Sequence, residues 1–492
     1  MNNNDRVDNN SDEQRNSEAN STESTQNGTT YRLVIRYKDE RGNFLYDRCA
    51  RDLEAMTTYK TLKGSKKMYR YVKELGYYKD DGEEYLEQQM RQITGADFRK
   101  NRFAEVVRMV INDTLIEPTE FVSPPYLINL RNGCYDIKRK QFFERVSDSD
   151  FDYSFFNFIN AMPFEYRPKE YFGIDGPCPE IDKFFHIVLG TQQAVDRMYE
   201  WFGYHLLRSN PFKKMAMFIG EHDTGKTTTA QLLEAFLSPE NVSNLSLDAI
   251  MDDKFDRIKL DGKLANISGE LSPQFLKDPT MLKALTGSDR LSARIMHSQI
   301  DYTFTYTGKL TFLANRLPGT YEDDNAFFSR LVLWEFPHIF KSKQEAEEGY
   351  PYIKDKYLLA KLTTEDELSG LFIRAMEGLN RLLLNETFTG SLSDVEMKAR
   401  YISQSDSVNA FFSDKSVVLY DPIFEIESSQ LYEDYETYCS MKNLTKRSPQ
   451  YFGRVFNHYK ELYGIKFIQE KGKKSYRGIT TIFDGDRVAL GL

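Results

Sequence analysis

The segment from Gly220 to Thr227 constrains the fold of this chain more than any other part of the sequence. It fits the pattern G-x-x-x-x-G-K-[ST] of a phosphate-binding loop. Residues 215–219 before it predict a short buried strand, and residues 228–237 after it predict a helix. A strand aims such a loop, and the N-terminus of the helix adds a partial positive charge that favours phosphate. A chance match in a glycine-containing turn is the alternative, and the flanking strand and helix argue against it.

The loop supplies the predicted nucleotide-binding residues. Its glycines let backbone N–H groups approach a triphosphate, Lys226 is expected to reach the β- and γ-phosphates, and the Thr227 hydroxyl is expected to bind Mg²⁺. ATP and Mg²⁺ are therefore the expected cofactors. The predicted nucleotide-binding set is Gly220, Glu221, His222, Asp223, Thr224, Gly225, Lys226, Thr227 and Thr228.

A second predicted strand, over residues 263–270, ends in the carboxylate of Glu270. In an ATPase, a carboxylate at this point polarises the attacking water, so Glu270 is the predicted general base. A second acid is usual just before it, but this chain has Gly269 there. The predicted magnesium ligands are therefore Thr227, water and Glu270. The alternative is that Glu270 is a surface residue at the end of a strand.

Two further polar residues lie at the ends of predicted apolar strands. Asn315 follows residues 309–314, and its amide could donate to a γ-phosphate or to the attacking water. Arg330 stands at the head of residues 331–336, and its planar guanidinium suits the charge of a phosphoryl group in transfer. In ring ATPases such an arginine comes from the neighbouring subunit. Asn315 as a turn cap and Arg330 as a surface ion pair remain the alternatives.

A β-hairpin with basic residues near its tip is predicted between Glu270 and Asn315. It follows a helix end at residues 286–288 and continues into residues 301–307. Arg290, Arg294 and His297 are the residues expected to contact a nucleic acid backbone. An edge hairpin that carries solubilising charge is the alternative.

Composition gives a broader frame for these motifs. The 492 residues carry a net charge of −9, and no apolar run approaches the roughly 20 residues of a membrane span. The first residues form no apolar signal core, so a cytoplasmic location without a membrane partner is expected. The four cysteines lie far apart, which argues against a disulfide framework or a zinc finger. Residues 1–30 are almost entirely polar, and we expect them to be disordered.

The C-terminal part has the opposite charge balance. Residues 441–477 contain ten Lys or Arg against two Asp or Glu, a local balance of +8. This charge favours contact with DNA phosphates, although a solvated loop would share the pattern. The expected contacts lie at a predicted wing tip, at Lys471, Lys473, Lys474 and Arg477.

These motifs together resemble the superfamily 3 helicases. The motifs follow one another in the order of that family: phosphate loop, strand with Glu270, basic hairpin, strand with Asn315, and Arg330. Within the family, the chain most resembles the phage and plasmid primase-helicase branch, which is related to the poxvirus replication helicase. Residues 132–137, 178–185 and 201–207 resemble the domain that precedes the ATPase in that branch, and residues 431–439 and 452–456 resemble the winged helix that follows it.

The resemblance implies an α/β protein, with a P-loop AAA+-like ATPase core between a mainly helical N-terminal domain and a C-terminal winged helix. The implied domains are a disordered tail at 1–30, an N-terminal domain at 31–207, an ATPase domain with a helical lid at 208–395, and a winged helix at 396–492. It also implies a homohexameric ring on single-stranded and forked DNA, with Glu270 and Asn315 in one subunit and Arg330 from the next. The primase polymerase domain of many relatives is not evident, so priming would need a separate primase or polymerase.

Three functions remain open from the residues alone. The first is an ATP-dependent replicative helicase of a virus or mobile element. The second is an origin-binding initiator whose ATPase mainly controls assembly. The third is an ATPase that remodels or packages something other than DNA.

Overall fold

The structure, a computed structural model, describes residues 37–145, 153–269, 271, 279–294, 301–318, 320, 324–442, 444, 446–470 and 472–483. It divides into two compact units, one of Met1–Ser123 with Asp150–Ile159 and one of Pro124–Ser149 with Asn160–Leu492. This division does not coincide with the predicted boundary at residue 207, and the four domain bounds stay predictions. Within the described ranges, no helix is both long and apolar enough to cross a membrane.

The described residues of the first unit combine three helices with a four-stranded sheet. The helices are α1 (Tyr46–Glu54), α2 (Gly82–Thr94) and α3 (Lys100–Asp113), and the strands are β1 (Tyr59–Leu62), β2 (Met68–Val72), β3 (Tyr77–Lys79) and β4 (Leu115–Ile116). The sheet order is β3-β2-β1-β4, with the β1–β4 pair parallel. The prediction of a mainly helical N-terminal domain missed this sheet, because its strands are only two to five residues long, and β1, β2 and β3 mix their apolar and aromatic residues with lysine or arginine.

The second unit begins with a small antiparallel sheet and two helices. Its elements are β5 (Leu127–Leu130), β6 (Gly133–Asp136), β7 (Gln141–Glu144), α4 (Pro179–Leu189) and α5 (Gln192–Leu206). A tight turn joins β5 and β6 as predicted, but it lies at Arg131-Asn132, one residue before the predicted Asn132-Gly133, because Gly133 is already the first residue of β6 and pairs with Leu130.

A five-stranded parallel sheet forms the centre of the second unit. The elements of this region are β8 (Met215–Ile219), α6 (Lys226–Leu237), β9 (Val242–Ser243), α7 (Leu247–Asp252), β10 (Ala265–Ser268), α8 (Thr280–Gly287), β11 (Arg290–Arg294), β12 (Asp301–Thr305), β13 (Lys309–Ala314), α9 (Asn325–Phe328) and β14 (Leu331–Glu335). The sheet order is β14-β8-β13-β10-β9, and every pair is parallel. All residues of β8, β10 and β13 are buried, and β8 is apolar throughout, while β10 and β13 also bury polar residues such as Asn266 and Thr311. The expected mixed α/β class with a parallel sheet is confirmed.

A helical layer covers one side of this region. It consists of α10 (Leu358–Leu362) and α11 (Glu365–Asn385) in addition to α5, while α12 (Asp394–Ser405) packs on the other face of the sheet through Met397 and Tyr401. Helices α5 and α11 approach closely at Gly203, where an added Cβ would overlap the Ala375 carbonyl oxygen. The helical segment predicted from residue 357 to 384 is confirmed.

The last described part of the chain, from residue 407 to 483, forms three helices and small antiparallel sheets around an aromatic core. The elements are α13 (Ser407–Ser413), β15 (Val418–Leu419), β16 (Glu425–Glu427), α14 (Ser428–Met441), α15 (Pro449–Tyr463), β17 (Lys466–Glu470), β18 (Lys473–Arg477) and β19 (Thr480–Thr481). Phe411, Phe412, Tyr435, Phe452 and Phe456 are buried together in this core. Strands β17 and β18 form a hairpin that β16 extends on the β18 side.

Candidate nucleotide and nucleic acid sites

The predicted phosphate loop connects the carboxyl end of β8 to the first residue of α6. The N–H group of Gly220 donates to the Ala314 carbonyl at 3.3 Å, and the N–H group of Phe336 donates to the Ile219 carbonyl at 2.8 Å. The loop is therefore anchored between the carboxyl ends of the two strands that flank β8. Both strands end at the same edge of the sheet because all three are parallel.

Gly225 closes the loop in a conformation that other residues adopt at a cost. Its φ of 94° lies in the left-handed region, and an added Cβ would lie 2.8 Å from Cγ1 of Val188 on α4. Both the backbone and the neighbouring helix therefore require glycine here, as the motif predicted.

We expect Gly225→Ala to lower the free energy of unfolding by about 1–3 kcal/mol, because strain and overlap add at this position. Urea denaturation and nucleotide titration measure the effect, and ATP affinity should fall with it. Gly453→Ala is the matched control, since nothing lies within 4 Å of an added Cβ there and α15 gains helix propensity. Unchanged stability and ATP affinity in Gly225→Ala would contradict the loop geometry.

Lys226 points its ammonium group into the loop. Its Nζ donates to the carbonyl oxygens of Gly220 at 2.7 Å and Glu221 at 2.5 Å. Burial lowers the pKa of Lys226, and the carboxylates of Glu221 and Asp223 oppose that shift. Because the hydrogen-bond partners are neutral carbonyls, a phosphate oxygen would be a stronger partner for this cation.

Asn315 lies beside the phosphate loop. It follows β13, whose last residue Ala314 pairs with Ile219, and its amide Nδ2 lies 3.2 Å from Nε2 of His222. The amide therefore donates to the imidazole of a loop residue. The structure brings Asn315 and His222 together, although they belong to separate motifs in the sequence.

The metal ligands are only partly within the described residues. Thr227 is exposed in the first turn of α6, with Thr228 half-buried beside it. Glu270 lies outside the described residues, although β10 ends two residues before it, and Ser268 pairs with Phe312 of β13. In the part of the chain that is described, no group of three or more His, Cys, Asp or Glu side chains could hold a metal ion. Gly269 is exposed and its Cβ position is open, so packing does not exclude an acid there.

Arg330 lies at the opposite edge of the sheet from the phosphate loop. It precedes β14, whose first residue Leu331 pairs with Met215 at the start of β8, four residues before Ile219. Four residues of strand span about 13 Å, so Arg330 is remote from the loop of its own chain. Its Nε donates to Oγ1 of Thr286 at 3.0 Å, and its Nη1 donates to the Ala326 carbonyl.

The predicted basic hairpin is formed by β11 and β12. Arg290 pairs with Thr305 at the end away from the tip, and Arg294 pairs with Asp301 next to the tip. The Arg290 guanidinium donates to Oγ1 of Thr303 at 2.9 Å. His297 lies outside the described residues, so of the three predicted contacts only Arg294 is placed near the tip.

The C-terminal basic residues are partly engaged within their own sheet. Lys473 forms an ion pair with Glu427 at 2.8 Å, and Arg477 forms one with Glu425 at 3.0 Å. Lys474 is exposed on β18, and Lys471 lies outside the described residues. Of the three described cations that were predicted to bind DNA, Lys474 is the one without an ion-pair partner among the described residues.

The sequence reading missed a third element at the phosphate loop. The segment after β14 packs on Asp223, whose carbonyl accepts the N–H of Phe340 at 2.8 Å and whose carboxylate pairs with Lys354 at 2.8 Å. No local motif marks Lys354. It lies 131 residues after Asp223 in the sequence, and only the fold brings the two residues together.

Two family descriptions match this chain. "D5 N terminal like" matches residues 29–190, and "Family of unknown function (DUF5906)" matches residues 218–330. The second match contains the phosphate loop, Asn315 and Arg330.

Two curated relatives share parts of the chain. "Putative helicase V13" of Sputnik virophage is 26% identical over 210 residues, which is 40% of this chain and 26% of that protein. "Uncharacterized mitochondrial protein ymf20" of Marchantia polymorpha is 29% identical over 83 residues, which is 16% of this chain and 48% of that protein. The chain thus spans about a quarter of the first relative and about half of the second.

Among solved structures, the A form apo structure of the NrS-1 C terminal region covers 88% of this chain and 98% of its own. The two are 12% identical, with a TM-score of 0.41. A likeness at this score carries no argument about function.

Proposed function

We propose that this relative of the phage-type primase-helicases is an ATP-dependent DNA helicase. It separates DNA strands during the replication of a virus or mobile element, and it acts as a hexameric ring. The observation that carries the proposal is the distribution of charge over one sheet. A phosphate loop with Lys226 lies at one edge, and the half-buried Arg330 lies at the other. In this proposal each subunit supplies the phosphate loop of one site and the arginine of the next. A ring of identical subunits places the loop of one subunit beside Arg330 of its neighbour.

In this proposal the phosphate loop binds ATP. Lys226 exchanges its carbonyl partners for the β- and γ-phosphates, and the Asn315 amide donates to the γ-phosphate or to the attacking water. Mg²⁺, held by Thr227, water and Glu270, would neutralise phosphate charge when bound. Glu270 acts as the general base toward the attacking water. Gly269 contributes no second acid to this set.

Arg330 completes the site of the neighbouring subunit. Nε and Nη1 are engaged within its own chain, so we assign Nη2 to the transferring phosphoryl group. A guanidinium that approaches the phosphate from another subunit makes hydrolysis depend on the assembled ring. The proposed core is AAA+-like, with the helical layer α10–α11 as its lid.

The proposed DNA contacts are the β11–β12 hairpin in the ring channel and a C-terminal winged helix with β17–β18 as its wing. In this view Arg290, Arg294 and His297 contact one strand, and Lys471, Lys473, Lys474 and Arg477 contact duplex or forked DNA. A separate primase or polymerase would supply the primers.

We expect Lys474→Ala to weaken DNA binding more than Lys473→Ala, because Lys473 must first give up its ion pair with Glu427. The slope of log affinity against log salt should fall by about one unit in Lys474→Ala. Fluorescence anisotropy at several salt concentrations measures it, with the exposed Lys415 as the control alanine site. Equal salt slopes in wild type and Lys474→Ala would remove this residue from the DNA surface.

Stimulation of ATP hydrolysis by single-stranded DNA tests the proposed function. A helicase of this type should hydrolyse ATP faster when a single strand occupies its channel. A wild-type protein whose ATP turnover never responds to single-stranded DNA would count against the proposal.

The local charge of +8 over residues 441–477 favours one alternative, an origin-binding initiator whose ATPase controls assembly. Footprinting on the element's own origin separates the two functions. Sequence-specific protection without strand separation would favour the initiator.

A further inference from the structure

Thr286 is the partner that holds Arg330 inside its own subunit. It lies in the last turn of α8 and is 3% exposed. Its hydroxyl donates to the Leu282 carbonyl at 2.7 Å and accepts from Nε of Arg330 at 3.0 Å. A guanidinium anchored on a buried side chain moves together with the helix that carries that side chain.

Helix α8 continues almost directly into the hairpin. Only Ser288 and Asp289 separate its last residue, Gly287, from Arg290 at the start of β11. The N–H of Ser288 donates to Leu285 and the N–H of Asp289 donates to Ala284, so the chain leaves the helix through a tight capping turn. Ser288 takes a left-handed φ of 58° in this turn. The joint is therefore a fixed turn, through which a shift of α8 reaches β11.

A second connection ties α8 to the segment that carries Arg330. Nζ of Lys283 on α8 lies 2.9 Å from Oδ2 of Asp324, whose other oxygen accepts the N–H of Ala326 in the first turn of α9. Arg330 in turn donates to the Ala326 carbonyl. Arg330 is thus tied to α8 in two ways. The direct link is its hydrogen bond to the neutral Thr286 hydroxyl, and the indirect link is the Lys283–Asp324 ion pair between α8 and the start of α9.

We propose that Thr286 is a positioning residue that couples Arg330 to the β11–β12 hairpin. The inference rests on the proposed function, in which Arg330 serves the nucleotide of a neighbouring subunit. A phosphate oxygen bound at Nη2 pulls the whole guanidinium, because charge-assisted hydrogen bonds are about twice as strong as neutral ones, while Nε keeps its bond to Thr286. Arg330 drawn toward that phosphate shifts Thr286, and α8 carries the shift into the hairpin. The link is reciprocal, so DNA on the hairpin changes how Arg330 is presented.

The ratio of ATP hydrolysis rates with and without single-stranded DNA tests this coupling. Thr286→Val removes the hydroxyl at nearly constant volume, and we expect the ratio to fall about tenfold, or to one where the wild-type ratio is smaller. Thr286→Ser keeps the hydroxyl and should retain a ratio within about twofold of wild type. A purely structural role would lower both rates together and leave the ratio unchanged, so an unchanged ratio in Thr286→Val overturns the coupling.

Lys283→Ala breaks the ionic link on a more accessible side chain and keeps the test decisive if Thr286→Val does not fold. Its stimulation ratio should fall about threefold, less than in Thr286→Val, because the Thr286 link remains. Wild-type stimulation in this variant would then overturn the coupling. Failure of the proposed function itself looks different, since the wild-type protein would then show no stimulation by DNA at all.

Discussion

Lys226→Ala is expected to slow ATP hydrolysis by about 10²–10³-fold, which is the usual loss when one preorganised donor to a developing phosphate charge is removed. The physical reason is the position of the ammonium group, which lies within the loop and is held there by neutral carbonyl oxygens of Gly220 and Glu221. The other described lysine at the loop, Lys354, is paired with the carboxylate of Asp223. Release of inorganic phosphate with saturating single-stranded DNA measures the rate.

Lys213→Ala is the matched control for this prediction. Lys213 is exposed just before β8 and carries the same charge, so its removal changes net charge without touching the loop. Its hydrolysis rate should stay within about twofold of wild type. A Lys226→Ala protein that folds normally and still hydrolyses ATP at the wild-type rate would show that the loop is not the hydrolytic site.

Mixing two inactive variants should restore part of the activity. Arg330→Ala subunits keep an intact phosphate loop, and Lys226→Ala subunits keep an intact arginine at the far edge of the sheet. In a mixed ring, some interfaces join the intact loop of one subunit to the intact arginine of the next. Because an arginine supplied in trans is worth about 10³–10⁵ in rate, even a minority of such interfaces should be measurable.

Each variant alone is the control for the mixture. Phosphate release should stay near background in both pure preparations and rise when they are combined and reassembled. Rings that assemble from both variants and recover no hydrolysis would place Arg330 outside the active interface. Its bonds to Thr286 and Ala326 would then be its whole role.

The core of the fold could be predicted because its strands are buried on both faces. Residues 215–219 and 309–314 predict apolar strands and residues 263–270 predict a strand that ends in a carboxylate, and the structure places strands from all three segments in one parallel sheet. Parallel strands end at a common edge, so the prediction that Asn315 lies near the phosphate loop followed from the sequence alone. The matches to "D5 N terminal like" and to the virophage putative helicase support a relation to the phage-type primase-helicases that these motifs resemble.

The rest depended on contacts between residues far apart in the sequence. Asn315 and His222 are 93 residues apart, and Lys354 and Asp223 are 131 apart. The link between Arg330 and Thr286 spans 44 residues and has no pattern of its own. The ion pairs of Lys473 and Arg477 were also missed, because cross-strand register decides which glutamate faces which cation.

Strand displacement on a forked DNA substrate shows whether this protein is a helicase. A fluorophore and quencher on the two strands would report separation by wild type, Lys226→Ala and Lys213→Ala under the same conditions. The account predicts ATP-dependent separation by wild type and Lys213→Ala and none by Lys226→Ala. Wild-type protein that hydrolyses ATP on this fork without separating its strands would contradict the account.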